Sequence, residues 1–509
     1  MVTLGYDIGS SSIKAALYDV DKGKEKGRST YPKNEMEIVS PYPGWAEQDP
    51  NKWWEAVILA TKELLLKTDT KPADVKAIGI SYQMHGLVLA DKGQNVLRPS
   101  IIWCDSRAVQ TGNKAFEEIG EEKCLKYLLN SPGNFTASKL RWVIENEPET
   151  FEKVYKFMLP GDYIAMKLSG EITTTATGLS EGILWNFEKD EPAKFLMENY
   201  GISDSLVPKI VPGFGEQCLL SKEASEQLGL KERIPITYRA GDQPNNAFSL
   251  NVLRPNEIAS TAGTSGVIYG ISEEVKYDPE SRVNTFIHVN HSKELKRLGI
   301  LLCINGTGIS YNWIRKILFK PVIHEVDQVA SYEEINKLAK QTKIGSEGLV
   351  FIPFGNGAER MLYNLEPGAS FERINFNIHA QNHMVRAVLE GVAFSFYYGI
   401  NILNDLAVNP KVIRAGLANM FLSDTFRRTL ATLSGAEIQL YNTDGALGAA
   451  RAAAYGAGFY NSFDEAFKDL ECVGTVEPDL KNESEYKSAY EKWNNELKQK
   501  LNKREKNES

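Results

Sequence analysis

No two cysteines of this 509-residue chain stand in a C-x-x-C spacing. The five present, Cys104, Cys124, Cys218, Cys303 and Cys472, are scattered and odd in number. That pattern excludes a disulfide framework and reads as the reduced thiols of a cytoplasmic protein. Six histidines form no metal-like cluster, which argues against a structural zinc site. No apolar run approaches the length of a membrane span, and the opening Val2–Ile8 reads as a core strand rather than a signal peptide. Basic charge is not in excess: 58 Lys and Arg against 66 Asp and Glu leave a net charge of −8. Nucleic acid and anionic membranes are therefore excluded as main partners, with room left for a local basic pocket. Short-period repeats are also lacking.

What is present is enough material for two large domains of ordinary globular composition, 42% hydrophobic and 24% charged. Residues 2 to about 20 alternate as a β-hairpin, with a turn near Asp21-Lys22-Gly23. Asp49-Pro50 caps and starts a helix running to Leu66. Residues 75–81 read as a short buried strand leading into Tyr82-Gln83-Met84-His85-Gly86, and 87–89 as another strand. Residues 234–242 read as a strand ending in a polar loop, with a helix opening at Asn245-Asn246-Ala247-Phe248. Further on come a strand-to-helix turn at 411–416, a helix over 425–434, and a charged, solvated surface helix from about Asn482. Strands alternating with helices signal α/β architecture. The domain boundary is expected near residue 247.

Two stretches of small residues carry the chemistry. The first, Asp7-Ile8-Gly9-Ser10-Ser11-Ser12-Ile13-Lys14, interrupts an apolar strand. The second is Ser260-Thr261-Ala262-Gly263-Thr264-Ser265-Gly266. Each has the form strand, small-residue turn, strand. Small residues let backbone N–H groups approach an anion, and hydroxyls add donors. Either loop alone is also an ordinary hairpin turn. Together, facing across a cleft, they would hold a nucleoside triphosphate. Asp7 ends the first strand, and a carboxylate beside a phosphate loop calls for a cation between them, usually Mg²⁺ through waters. The chain reads as a two-domain phosphotransferase.

Four further stretches carry a resemblance: Gly44-Trp45-Ala46-Glu47-Gln48-Asp49-Pro50, Gln83-Met84-His85-Gly86, Ile102-Trp103-Cys104-Asp105-Ser106-Arg107 and Arg386-Ala387-Val388-Leu389-Glu390-Gly391-Val392. With the two loops, they make the chain resemble the FGGY carbohydrate kinases over 7–451, most closely the xylulokinases. The resemblance implies an α/β fold of two ribonuclease H-like domains of the actin and hexokinase type, with the active site in the cleft between them. Residues 1–247 would bind the sugar and 248–509 the nucleotide. It implies an ATP- and Mg²⁺-dependent kinase that phosphorylates the terminal hydroxyl of a ketose, D-xylulose to D-xylulose 5-phosphate.

By the same resemblance Asp242 is the general base; its other reading is a helix N-cap. Asp7 is the magnesium partner, and Ser11 and Ser12 lie by the phosphates. Lys14 has a second reading as a surface residue. Met84 and His85 contact the ketose. Asn246 reaches the sugar or starts a helix, and Trp45 and Trp103 line the cleft or pack the core. Thr264, Gly308, Asn312, Ala415, Gly416 and Asn419 surround the nucleotide, where side chains in place of glycine would collide with base or phosphate. Two positions depart from the pattern: Gln243-Pro244 follows the base where xylulokinases commonly have Asn, and Arg414-Ala415 stands where many members have Gly-Gly. The rival readings are a kinase for ribulose, sedoheptulose or glycerol, and a non-catalytic sugar- or nucleotide-binding protein. A filament or chaperone ATPase is disfavoured. The expected partners are a ketose and ATP, without nucleic acid or membrane, in a possible homodimer.

Overall fold

The computed structural model describes residues 1–319 and 331–508, with side chains to Asn502. The first half of the chain builds a six-stranded sheet from β1 (Val2–Ile8), β2 (Ile13–Asp19), β3 (Lys24–Tyr31), β4 (Val75–Tyr82), β5 (Phe214–Leu219) and β6 (Pro235–Gly241), in the order β5-β6-β4-β1-β2-β3. β1, β2 and β3 form an antiparallel meander, β1, β4 and β6 run parallel, and β5 closes the edge antiparallel to β6. Leu4, Tyr6 and Ile8 on one face of β1 and Thr3 and Gly5 on the other are buried. Both faces of β1 are therefore covered, as near-continuous apolar runs in parallel sheets require.

The second half repeats the plan. Its sheet comprises β7 (Glu257–Ala262), β8 (Gly266–Ser272), β9 (Asn284–Ile287), β10 (Leu298–Ile304), β11 (Val412–Gly416), β12 (Glu437–Tyr441) and β13 (Cys472–Val476), ordered β9-β10-β8-β7-β11-β12-β13. β7, β8 and β10 are the antiparallel meander, and β7, β11 and β12 the parallel part. Each meander opens on one of the small-residue hairpins read from the sequence. The duplication leaves both loops at equivalent places in two like sheets.

Helices cover the sheets. α1 (Pro50–Lys67) is capped by the Asp49 side chain accepting from Asn51 N and buries Trp53, Val57, Ala60 and Leu64. α2 (Thr136–Asn146) and α3 (Ala176–Glu181) belong to the segment between β4 and β5. α4 (Asp242–Ser249) follows β6 directly. The polar loop expected after β6 is thus the first turn of a helix that starts at Asp242, not at Asn245, with Gly241 as its N-cap. α5 (Gly308–Phe319), α6 (Gln381–Asp405), α7 (Asp424–Ser434), α8 (Gly445–Gly456) and α9 (Glu483–Glu508) follow.

α8 belongs to the second half by sequence but lies on the first half's sheet. It does so at backbone contact. A methyl added to Gly5 would meet Ala446 O at 2.1 Å, and one on Gly79 would meet Ala449 O at 2.2 Å. Thr3 and Thr237 hydroxyls donate to Ala450 O and Ala453 O at 2.7 and 2.8 Å. Glycines on the strands and alanines on the helix are what allow this approach.

The tail departs from its expected role as a solvated element. α9 is highly charged, but Tyr486, Ala489, Trp493 and Leu497 are buried in the second half's core. Trp493 Nε1 donates to Phe351 O at 2.9 Å. The apolar residues at three- and four-residue spacing make one docking face, and the charges take the other. Trp493→Ala should therefore cost about 3–5 kcal/mol of stability. A thermal or urea transition shifted by less than about 1 kcal/mol would show that the helix does not complete the core.

Candidate active site

β1 delivers Asp7 to the end of the first hairpin, opposite Lys14 in register. Lys14 Nζ stands 3.6 Å from the Asp7 carboxylate, and Ser81 Oγ at the end of β4 donates to it at 3.2 Å. The N-terminus of α8 sits directly over this carboxylate: a methyl on Gly445 would lie 2.9 Å from Asp7 Cγ. Asp444 caps α8, accepting from Leu447 N at 2.9 Å, and pairs with Arg28 at 2.7 Å. In the loop, Ser11 is exposed and Ser12 half-buried. The Ser10 carbonyl is taken by Gln48 Nε2 at 2.7 Å.

Asp242 is the first residue of α4 and Gly241 its N-cap, so Asp242 does not hold the N-cap position; its carboxylate accepts from Gln243. Its carboxyl has a pKa pushed up to about 7, by burial first and then by the charge of Asp7. Next to it a methyl on Gly241 would strike Glu181 Oε2 at 2.3 Å and Met84 Cγ at 2.6 Å. Glu181, at the end of α3, is fully buried and its proton affinity is raised by burial, then by Asp242 and Asp162. Glu181 Oε1, Gln243 Oε1 and Asn245 Oδ1 are shielded from solvent with no hydrogen-bond partner in the protein. Two of these atoms belong to α4, within three residues of Asp242, and the third to Glu181 at the Gly241 contact; such atoms are where a ligand's polar groups would find partners.

His85 follows Met84 with φ +62, a left-handed conformation costly for a residue with a side chain. Lys139 of α2, itself fully buried, holds it by donating to His85 O and Ile102 O, each at 2.9 Å. Burial depresses the Lys139 pKa to about 7. His85 Nδ1 lies 2.9 Å from Glu181 O. A carbonyl only accepts, so Nδ1 carries the proton and Nε2 is left as an acceptor. Burial, then Lys139, pushes the His85 pKa down to about 3, and the ring is neutral. It stands edge-on to Phe135 at 4.8 Å and beside Phe286 of β9 at 5.4 Å.

The second loop is braced by α5. Gly308 N donates to Gly263 O at 2.8 Å and Ile309 N to Thr264 O at 3.3 Å. The first two amides of that helix are thus spent on the loop. A methyl on Gly308 would meet Gly263 O at 2.5 Å, so its glycine serves this packing. Thr264 is exposed at the turn. Asn419, at φ +53, puts Nδ2 within 3.5 Å of where a Gly263 methyl would be. Ala415 pairs with Ser260 across β7 and β11, and Gly416 faces open space. Asn312, one turn along α5 from Gly308, accepts from Arg315 at 3.2 Å.

Several alternatives left by the sequence are decided by contacts. Asn246 lies inside α4, so it does not start the helix. Trp45 is stacked under Arg107, 3.7 Å from its centroid, while Ala46 N and Ser106 N bond Asp105 Oδ2 and Gly44 O at 2.6 and 2.7 Å. Two of the resemblance stretches thus brace each other. Trp103 is exposed, its Nε1 3.3 Å from Ser10 Oγ beside the first loop. Arg414 points away from Ala415's face, bonding Gln439 Oε1 at 3.0 Å and Glu257 at 3.2 Å. Sequence reasoning missed Glu181, Lys139, Phe135, Phe286 and Gly445. A buried lysine has no local signature, since lysines are ordinarily exposed.

Comparisons with known proteins identify the family and the fold. Residues 2–249 match the family model for the N-terminal domain of the FGGY family of carbohydrate kinases. A xylulose kinase of Staphylococcus epidermidis is 30% identical over 496 residues, covering 96% of this chain and 95% of that one. Another, from Escherichia coli strain K12, is 28% identical over 489 residues, covering 95% and 96%. The crystal structure of xylulose kinase from Rhodospirillum rubrum superimposes with a TM-score of 0.86 at 26% identity, covering 97% and 98%. The fold and these likenesses define a carbohydrate kinase with two actin- and hexokinase-like domains. The chain belongs to the FGGY family of carbohydrate kinases.

Kinases of this family use ATP with Mg²⁺. The residues present suit both. Asp7 is a hard carboxylate beside the first loop, and its charge raises the proton affinity of Asp242. A cation beside Asp7 would offset that charge and keep most of its positions for water and phosphate oxygens, as Mg²⁺ prefers.

The neutral state of His85 can be checked directly. Its imidazole carbon-bound proton resonance, assigned by loss in His85→Gln, should not move between about pH 5 and 8, whereas an exposed histidine titrates near 6.5. A midpoint inside that window would mean that the ring is not enclosed.

Proposed function

We propose that this kinase transfers the γ-phosphoryl group of ATP to the terminal hydroxyl of D-xylulose, giving D-xylulose 5-phosphate. The observation that carries this reading is the meeting of Glu181 and Met84 at Gly241, next to Asp242, with His85 Nδ1 on Glu181 O. Its support is the likeness to xylulose kinases over nearly the whole chain.

In this reading residues 1–247 hold the acceptor and 248–509 the nucleotide. Met84 packs on the carbon skeleton, His85 accepts at Nε2 a hydrogen bond donated by a sugar hydroxyl, and Asn246 reaches the sugar from α4. Ser11, Ser12, Thr264, Gly308, Asn312, Ala415, Gly416 and Asn419 surround the nucleotide. Asp7 holds Mg²⁺ through water, and the cation supplies charge neutralisation on the phosphates. Asp242 accepts the proton of the attacking hydroxyl as its oxygen bonds the γ-phosphorus and the bond from that phosphorus to the bridging oxygen breaks, releasing ADP, contributing about 10²–10⁴-fold. The rest of the rate comes from positioning and electrostatics. All five cysteines are free, which suits a reducing, cytoplasmic compartment.

The reading is tested by coupled ADP release with ATP and Mg²⁺ across D-xylulose, L-xylulose, D-ribulose, L-ribulose, sedoheptulose and glycerol. A clear preference for D-xylulose is expected; a preference for another acceptor reassigns the pocket around Met84, His85 and Asn246. Asp242→Asn should lower kcat by about 10²–10⁴-fold while calorimetry still detects acceptor binding, and full turnover would refute the base.

A base works ionised, so kcat/KM for the acceptor should rise with pH and then level off. Burial and the Asp7 charge put the Asp242 pKa at about 7 without a cation, and Mg²⁺ beside Asp7 lowers the inflection below that. A wild-type profile that falls as pH rises from about 5 to about 7 would contradict the assignment.

A further inference from the structure

One cation at the pocket belongs to none of the groups so far assigned. Arg360 sits in the short 3₁₀ turn Glu359–Leu362 of the second half. Its guanidinium crosses to the first half and lies 5.3 Å from the centre of the Phe135 ring, the same ring that meets His85 edge-on. The approach is close: a methyl on Gly133 would stand 2.3 Å from Arg360 Nη2. Nη1 is shut off from solvent and has no hydrogen-bond partner in the protein, and Arg360 forms no ion pair among the described residues. Arg360 as a whole is half-buried, and a shielded guanidinium nitrogen without an acceptor is costly unless a ligand supplies one. The wall thus runs from Asp242 and Met84 through His85 and Phe135 to Arg360.

We propose that Arg360 is an acceptor-binding residue that donates to the sugar's C1 hydroxyl and C2 carbonyl oxygens, at the end remote from the reacting hydroxyl. This rests on the ketose reading above. A planar fork with parallel N–H donors suits two vicinal oxygens, which a lysine ammonium does not match. Because Arg360 comes from the second half and His85 from the first, the sugar bridges the halves. Phosphoryl transfer is thereby coupled to the presence of the correct acceptor.

The test compares wild type, Arg360→Met and Arg360→Lys on D-xylulose and on the pentitols made by reducing its C2 carbonyl, with melting temperature as the check on folding. Arg360→Met should raise KM for the ketose about 10- to 100-fold, leave KM for ATP within about twofold, and erase the preference for ketose over pentitol. Arg360→Lys should recover only part of the loss. An unchanged ketose KM, or an equal penalty on ketose and pentitol, would overturn the proposal. If wild type turns over a different acceptor and not D-xylulose, the ketose reading fails. The Arg360 assignment to the C1–C2 end of a ketose fails with it, while a selective rise in that acceptor's KM in Arg360→Met would still locate the guanidinium in the pocket.

Discussion

The structure depends on a seam where a helix backbone rests on a sheet backbone without side chains between them. Gly5 and Gly79 on the strands and Ala446, Ala449 and Ala450 on α8 make that contact. A methyl at either glycine would run into carbonyl oxygens at near 2 Å, and helix and sheet would have to part. Gly448 continues the seam onto α4, where an added methyl would meet Ser249 Cβ at 2.4 Å. Asn245 Nδ2 then donates to Gly445 O at 2.9 Å. The close packing therefore sets the position of two acids at once. It lays the start of α8 over Asp7 and fixes α4, whose first residue is Asp242.

What the seam positions is electrostatically unfavourable when empty. Asp7 raises the proton affinity of Asp242, Asp242 raises that of Glu181, and the surrounding wall of Met84, His85, Phe135 and Phe286 offers little compensation. His85 adds a strained backbone, restrained by a lysine whose own burial is costly. Such a site is held by the scaffold around it rather than by its own contacts. The energy stored there is available to be relieved by ligands that bring a cation and hydroxyl groups.

The sequence disclosed what is encoded over short distances. Gly9-Ser10-Ser11-Ser12 and Gly263-Thr264-Ser265 announce tight hairpins, and Asp49-Pro50 announces a helix start; all three stand where they were read. Asp7, Met84, His85 and Asp242 were found through motif and family pattern, and they cluster. The residues that stayed hidden act across long separations. Lys139 reaches the carbonyl of His85, 54 positions away, and Glu181 receives His85 Nδ1 across 96. Periodicity says nothing about such pairs. The buried stripe of α9 was masked by a high density of charge on its other face. The start of α4 was misplaced by three residues because Pro244, which reads as loop, is compatible with the first turn of a helix.

The seam also bears on how the chain is made. The first sheet is covered by α8, a helix encoded about two hundred residues after its last strand. At roughly 5–20 residues per second, the glycine face of a completed sheet waits about 10–40 s on the ribosome for its lid. The second half waits in the same way, because Trp493 of α9 joins its core. Neither core is complete when its last strand has been made, so the domain-by-domain order usual for long chains is blurred here: the first sheet needs α8 and the second half's core needs α9.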